Sequence, residues 1–263
     1  MAGVELEHLT SPEAGRLAAS GAIGLIATGA VEQHGPHLPL GTDAIIARHL
    51  AEGVASRLDG TVIVAPVLPG GLSSHHLGFP GTVDLAREVF DGYVRGLLDT
   101  FDALGVQDVA IFSAHGGNFG ALAELAGTHG GVRVITYTDI GRYLEVMMTA
   151  AAATGLHAPE TDAHAGGLET SQMLHVFGED RISFPPDLEG YVAAEPGWMD
   201  RLHNEGMKAL SPIGVLGRPA GANAAAGKAI CDALADELAS WVRREIGLPS
   251  PSAELLDDLV EHR

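Results

Sequence analysis

The sequence predicts an α/β protein: one domain on a mostly parallel β-sheet with helices on both faces. Three observations predict it. Short aliphatic and β-branched runs recur along the chain, each followed by a loop and then by a segment with helical spacing of its apolar residues. These runs are apolar almost throughout, as strands covered on both faces are. With 263 residues, 46% of them hydrophobic, the chain is long enough to bury one full core.

Taken in order, the first run is AIGLIAT (22–28), and it leads into the loop GAVEQHGPHLPLGTD. The segment AIIARHLAEGVASRL (44–58) then reads as a helix, with Thr42 as its N-cap. TVIVAP (61–66) is the second strand, followed by GGLSSHHLGFPGT and a helix over 85–104. DVAIFS (108–113) and RVITYT (133–138) are the third and fourth strands. An alanine-rich stretch at 150–153 suits a helix, and 222–246 is the last helix. The region 177–222 is rich in Pro and Gly and contains Trp198, which marks it as a lid or a subunit contact. The tail after Pro249 is charged and expected to be peripheral.

The charge balance excludes whole classes of partner. With 34 acidic against 15 basic residues the net charge is −19, so a phosphate backbone or an anionic membrane surface is repelled. No apolar stretch approaches membrane-spanning length, and the N-terminus lacks a basic segment followed by an apolar run. A soluble, cytoplasmic protein is expected. The lone Cys231 can form no internal disulfide or thiolate-rich zinc site, so any metal must be held by nitrogen and oxygen.

Ligands of open α/β sheets collect beyond the carboxyl ends of the strands, and the polar residues gather there. The first strand leads to Glu32, His34 and Asp43; the second to Ser73, Ser74, His75 and His76; the third to His115 and Asn118 in SAHGGN. A fourth cluster, DAHAGGLETS, holds Asp162, His164 and Glu169. Glu, His and Asp are ligands of zinc, manganese or iron. Glu32 and His34, one residue apart in an extended loop, point to opposite sides and suit two neighbouring metals, with Asp43 as a bridge. Singly, each cluster has an ordinary alternative: a solvated loop, a helix-terminal charge, a turn histidine. It is their convergence that points to metal chemistry. His8, His49, His129, His157, His175 and His203 lack such clustering and are expected to be structural.

The segments TGAVEQHGPHLPLGTD, SxxHxxFPGT (Ser73 to Thr82), SAHGGNFGAL, DAHAGGLETS and GVLGRP together resemble the creatininase (creatinine amidohydrolase) family, in one order from about 22 to 235. The resemblance implies a three-layer α/β/α sandwich as one domain over 1–263, a homohexameric assembly and a centre of two divalent metal ions, Zn, Mn or Fe. It places Glu32 and His115 on one metal and His34 on the other, with Asp43 bridging. Creatininase itself carries a glutamate ligand two residues after the histidine, where this chain has Gly117. Glu169 is the candidate to complete that shell, or to orient His164, which matches a family histidine near the leaving group.

The implied activity is metal-dependent hydrolysis of a C–N amide bond in a small molecule, with His164 delivering a proton and the Gly116 and Gly117 amides assisting the oxyanion. Ser73, His76, Phe79 and Trp198 are candidates to line the pocket. A small neutral or cationic amide, cyclic or a formamide, is the expected substrate. Alternatives are a mycofactocin-type precursor peptidase of the same family and a non-catalytic metal-containing binding protein. A dinuclear phosphoesterase ranks lower, because no Arg or Lys stands near the site loops to hold a phosphate.

Overall fold

The computed structural model describes residues 3–58 and 60–248. In chain order the elements are β1 (Val4–Glu5), α1 (Ser11–Ala19), β2 (Ile23–Thr28), α2 (Thr42–Arg57), β3 (Val62–Val64), α3 (Arg87–Leu104), β4 (Asp108–Ser113), α4 (Phe119–Ala123), β5 (Gly127–His129), β6 (Val132–Thr136), α5 (Ile140–Ala153), α6 (Gly167–Val176), α7 (Trp198–Glu205), α8 (Met207–Leu210) and α9 (Ala224–Ile246). The strands form one six-stranded sheet in the order β1-β3-β2-β4-β6-β5. Every pairing is parallel except β5 with β6.

Alternate residues of the strands face opposite layers, and this builds the sandwich. Leu25, Ala27, Val62, Val64, Ala110 and Phe112 pack with α2, α5, α6 and α9. Ile26, Ile63, Val109 and Ile111 pack on the other face with α1, α3 and α4. The three-layer α/β/α architecture follows directly. Among the described residues no helix is long and apolar enough to cross a membrane.

The four expected strands and the helices expected over 44–58, 85–104 and 222–246 are present, with ends displaced by a few residues, and the alanine-rich stretch 150–153 is the end of α5. Two strands were not anticipated: β1, of two residues, and β5, which reads Gly-Thr-His. One local expectation is corrected. Thr42 does not cap α2 but is its first helical residue; its hydroxyl donates to the Pro39 carbonyl at 2.7 Å, and Gly41 occupies the cap position. The region 177–222 folds as α7 and α8 with irregular connections. The tail after Pro249 lies outside the described residues.

Two features fix α6, which matters for the site below. Asp162 receives the N–H groups of Gly167 (2.9 Å), Leu168 (3.1 Å) and Arg218 (3.3 Å), so a buried carboxylate from outside the helix closes its N-terminus. At the α6–α9 contact, a Cβ at Gly227 would fall on the Ser171 carbonyl. The two backbones touch there.

Candidate metal centre

The carboxyl ends of β2 and β4 and the starts of α2 and α6 meet in one buried cluster. Glu32 and His34 follow β2, Asp43 is the second residue of α2, His115 follows β4, and Glu169 lies in the first turn of α6. Glu32, His34, Asp43 and His115 are all at most 3% exposed. His34 Nε2 is 2.9 Å from Asp43 Oδ1 and 3.6 Å from Glu169 Oε2. His115 Nδ1 is 3.3 Å from Glu32 Oε1 and 3.2 Å from Asp43 Oδ2. The Asp43 carboxylate therefore turns one oxygen toward each histidine.

The hydrogen bonds behind these rings fix their tautomers, because a carbonyl oxygen can only accept. His34 Nδ1 donates to the Glu32 carbonyl at 3.1 Å, and His115 Nε2 donates to the Leu72 carbonyl at 3.1 Å. In a neutral ring, the nitrogen left facing the carboxylates carries a lone pair. Lone pair opposes lone pair across the cluster, and Glu32 Oε2, His34 Nε2 and Asp43 Oδ2 are buried without a hydrogen-bond partner. Such an arrangement is stable only around a cation. Glu32, Asp43 and His115 form one group of ligand atoms for a divalent ion, and His34 and Glu169, with His164 beside them, form another, a nitrogen and oxygen set suited to zinc or manganese. The fit with a metal pair is good.

The electrostatics say the same. Burial works against a charged His34, yet the charge and hydrogen bond of Asp43, with Glu169 and Glu32 behind, raise it to about 10. Against burial, Glu32 and Asp43 likewise hold His115 well above its ordinary value. Burial lifts Glu169 to about 7, despite the nearby His34. Protons thus collect where a cation belongs. His164 behaves oppositely: burial and the neighbouring His34 bring it down to about 3. Its Nε2 donates to the Gln33 carbonyl at 2.8 Å, which leaves Nδ1 bare, 3.6 Å from Glu32 Oε1.

A cavity of about 480 Å³ opens onto the cluster. Glu32, Asp43, His115, His164 and Glu169 form its floor, with His76, Gly116 and Gly117 beside them. Ile140, Tyr143, Leu144 and Met147 from α5 form one apolar wall; Trp198, Met199 and Leu202 from α7 form the other. No Lys or Arg is among the lining residues.

Most sequence-derived site residues therefore converge, with several exceptions. Ser73 does not line the cavity: it is fully buried, its hydroxyl 3.4 Å from His115 Nε2 and its N–H donating to Asp84 at 2.8 Å. Phe79 packs against the α7–α8 cluster instead. His37 also lies apart, with its Nε2 2.9 Å from the Thr170 hydroxyl. His203, expected to be structural, lines the cavity, as does His75. Sequence reasoning also missed Gln33 and the α5 wall, although 140, 143, 144 and 147 recur at helical spacing.

Gly117 now has a physical explanation. A Cβ at this position would fall on the Leu72 carbonyl and on His115 Nε2, the two partners of the bond that orients His115. The carboxylate facing His34 comes from Glu169 instead.

Residues 7–242 match the family described as Creatininase, creatinine amidohydrolase. The chain belongs to the creatininase family. Within it, the chain is 32% identical over 228 residues to a mycofactocin precursor peptide peptidase of Mycolicibacterium smegmatis, covering 84% of each. It is 26% identical over 198 residues to the creatinine amidohydrolase of Pseudomonas putida, covering 65% of this chain and 74% of that one. A crystal structure of creatininase superposes with a TM-score of 0.68 at 24% identity, over 94% of this chain and 99% of the other. A mutant creatininase in a Zn-Zn form gives 0.67 at 23% identity, over 93% and 99%. These structures share the fold.

Proposed function

We propose that this creatininase-family hydrolase cleaves the C–N bond of an amide with a pair of divalent cations held by Glu32, His34, Asp43, His115 and Glu169. The observation that carries the reading is the set of histidine and carboxylate lone pairs opposed across a buried cluster. When bound, the metal pair supplies Lewis acidity, activating water at neutral pH and polarising the scissile carbonyl.

The chain's own residues do the rest. Asp43 and Glu32, both buried, would hold negative charge where divalent cations bind. His164 enters the reaction neutral, with Nδ1 bare on the cluster side, so it accepts the proton released on attack and returns it to the departing nitrogen. Gly116 and Gly117 border the cluster with no side chain and bring their N–H groups to the oxyanion. The α5 and α7 walls exclude water and hold an apolar flank of the substrate. With no Lys or Arg lining the cavity, a free carboxylate or phosphate has no anchor, and a neutral or cationic substrate is favoured.

A compact cyclic amide or a formamide fits the floor of the cavity. A second reading, trimming of a precursor peptide, is favoured by the volume of about 480 Å³ and its two apolar walls, which exceed the needs of one small ring, and by the resemblance to the peptidase above. The test is a hydrolysis screen of cyclic amides, formamides and short apolar peptides with the chelated protein, before and after adding zinc or manganese. Turnover of any of them only with metal supports the reading, and the class turned over chooses between the two. Turnover unaffected by chelation overturns it.

A further inference from the structure

Gln33 stands between Glu32 and His34 in sequence, yet its side chain turns away from both and is buried. Backbone groups hold each end of its amide. Gly35 N–H donates to Oε1 at 3.0 Å, and Nε2 donates to the Gly214 carbonyl at 3.1 Å. An N–H must meet an oxygen acceptor and a carbonyl must meet a donor, so these partners fix which end of the amide is which. Gly214 makes the room: its φ is +75°, and a Cβ there would fall on the Gln33 amide.

One amide proton remains, with His76 Nδ1 at 2.8 Å and His164 Nε2 at 2.9 Å in reach; His164 Nε2 carries the proton it gives to the Gln33 carbonyl and cannot accept, so His76 Nδ1 does. His76 then carries its own proton on Nε2, which faces Glu32 Oε1 at 3.3 Å. The same residue holds His164, whose Nε2 donates to the Gln33 carbonyl at 2.8 Å. Gln33 thus sets both rings at once, one through its side chain and one through its backbone.

The consequence concerns a donor trio beside the metal centre. Glu32, His76 and His164 are buried, with ligand atoms all within 4.8 Å of one another, and they share Glu32 with the Asp43–His115 group. By residue type this trio is a metal site. A ring nitrogen that carries a proton has no lone pair for a cation, however, and His76 Nε2 is in that state. We propose that Gln33 is a positioning residue that keeps the trio free of metal, by holding His76 in the Nε2–H tautomer. Cations are thereby confined to the Asp43 side, and His164 Nδ1 stays free for proton transfer. This inference rests on the metal-dependent reading above.

The test compares zinc-loaded wild type with Gln33→Met, which keeps the length and removes the donor, and with Gln33→Glu. The glutamate offers His76 Nδ1 an acceptor in place of a donor and so demands the other tautomer. Zinc per subunit is measured after free metal is removed, histidine ring tautomers are read from 15N–1H spectra, and thermal melts identify folded variants. The expected result is about one further zinc equivalent per subunit in a folded variant, with the proton gone from His76 Nε2. Should the methionine variant fail to fold, the isosteric glutamate carries the test. Unchanged zinc content with His76 still in the wild-type tautomer overturns the proposal. Loss of zinc from a folded variant also overturns it, because Gln33 would then be supporting the main centre. A wild type that binds no zinc or manganese would instead sink the metal-dependent reading, and this inference with it.

Discussion

At position 117 a side chain has nowhere to go, since the hydrogen bond between His115 Nε2 and the Leu72 carbonyl occupies the space. Gly117→Glu, which copies creatininase, is therefore expected to unseat His115. Metal content should fall and amide turnover should drop at least ~10-fold, as when a supporting partner of a ligand is lost; a fully loaded, active variant would refute the packing argument. His164→Ala is expected to lower turnover by ~10²–10⁴-fold while metal stays bound. Loss of metal there would make His164 a ligand. The candidate ligand histidines also make a statement about pH. In the metal-free protein His34 is raised to about 10 and His115 is raised as well, both above the ordinary 6.5. The stability they contribute is complete below about 6.5 and is lost as pH rises toward 10. Metal must displace those protons, so zinc uptake at pH 7 should release roughly two of them and weaken as pH falls. Calorimetry in buffers of different ionisation enthalpy measures the release, and proton-neutral binding would contradict it.

The helix α6 shows how an element carries chemistry without touching substrate along most of its length. It presents Glu169 to His34, and Asp162 holds its N-terminus through the N–H groups of Gly167 and Leu168 while tying in the Arg218 N–H of a neighbouring loop. Asp162→Ala leaves those donors buried without acceptors and is expected to cost about 3 kcal/mol in denaturant unfolding, with metal lost from the Glu169 side before global unfolding. A change below about 0.5 kcal/mol would show that water replaces the carboxylate. The elements differed in how legible they were. β2 and β4 stood out because both faces are covered and nearly every residue is apolar. β5 did not, because it is a polar edge strand of three residues that owes its state to pairing with β6. Likewise α7 and α8 are too short for periodicity to declare them, and only their packing over the cavity defines them. The convergence of the candidate ligands was legible because Glu, Asp and His stand in the loops at the strand ends. Gln33 and Ser73 were not, since the signal of a supporting residue is its hydrogen bonds, which no spacing records.

At the scale of the whole molecule, a strongly acidic chain gathers four buried acidic or imidazole side chains and the half-buried Glu169 at the end of its sheet and leaves their lone pairs opposed. Folding brings together residues from position 32 to position 169, so the centre exists only when β2, β4, α2 and α6 are all in place. Binding of metal should therefore be coupled to the stability of the entire domain. Asp43 is the point on which this turns, because its two oxygens are directed to the two histidines. Elemental analysis of gently purified wild type beside Asp43→Ala tests that claim most directly. About two divalent metals per subunit in the wild type and nearly none in the variant, lost together, is the result expected of a bridged pair. A wild type with one metal or none, or a variant that keeps both, would contradict the dinuclear centre.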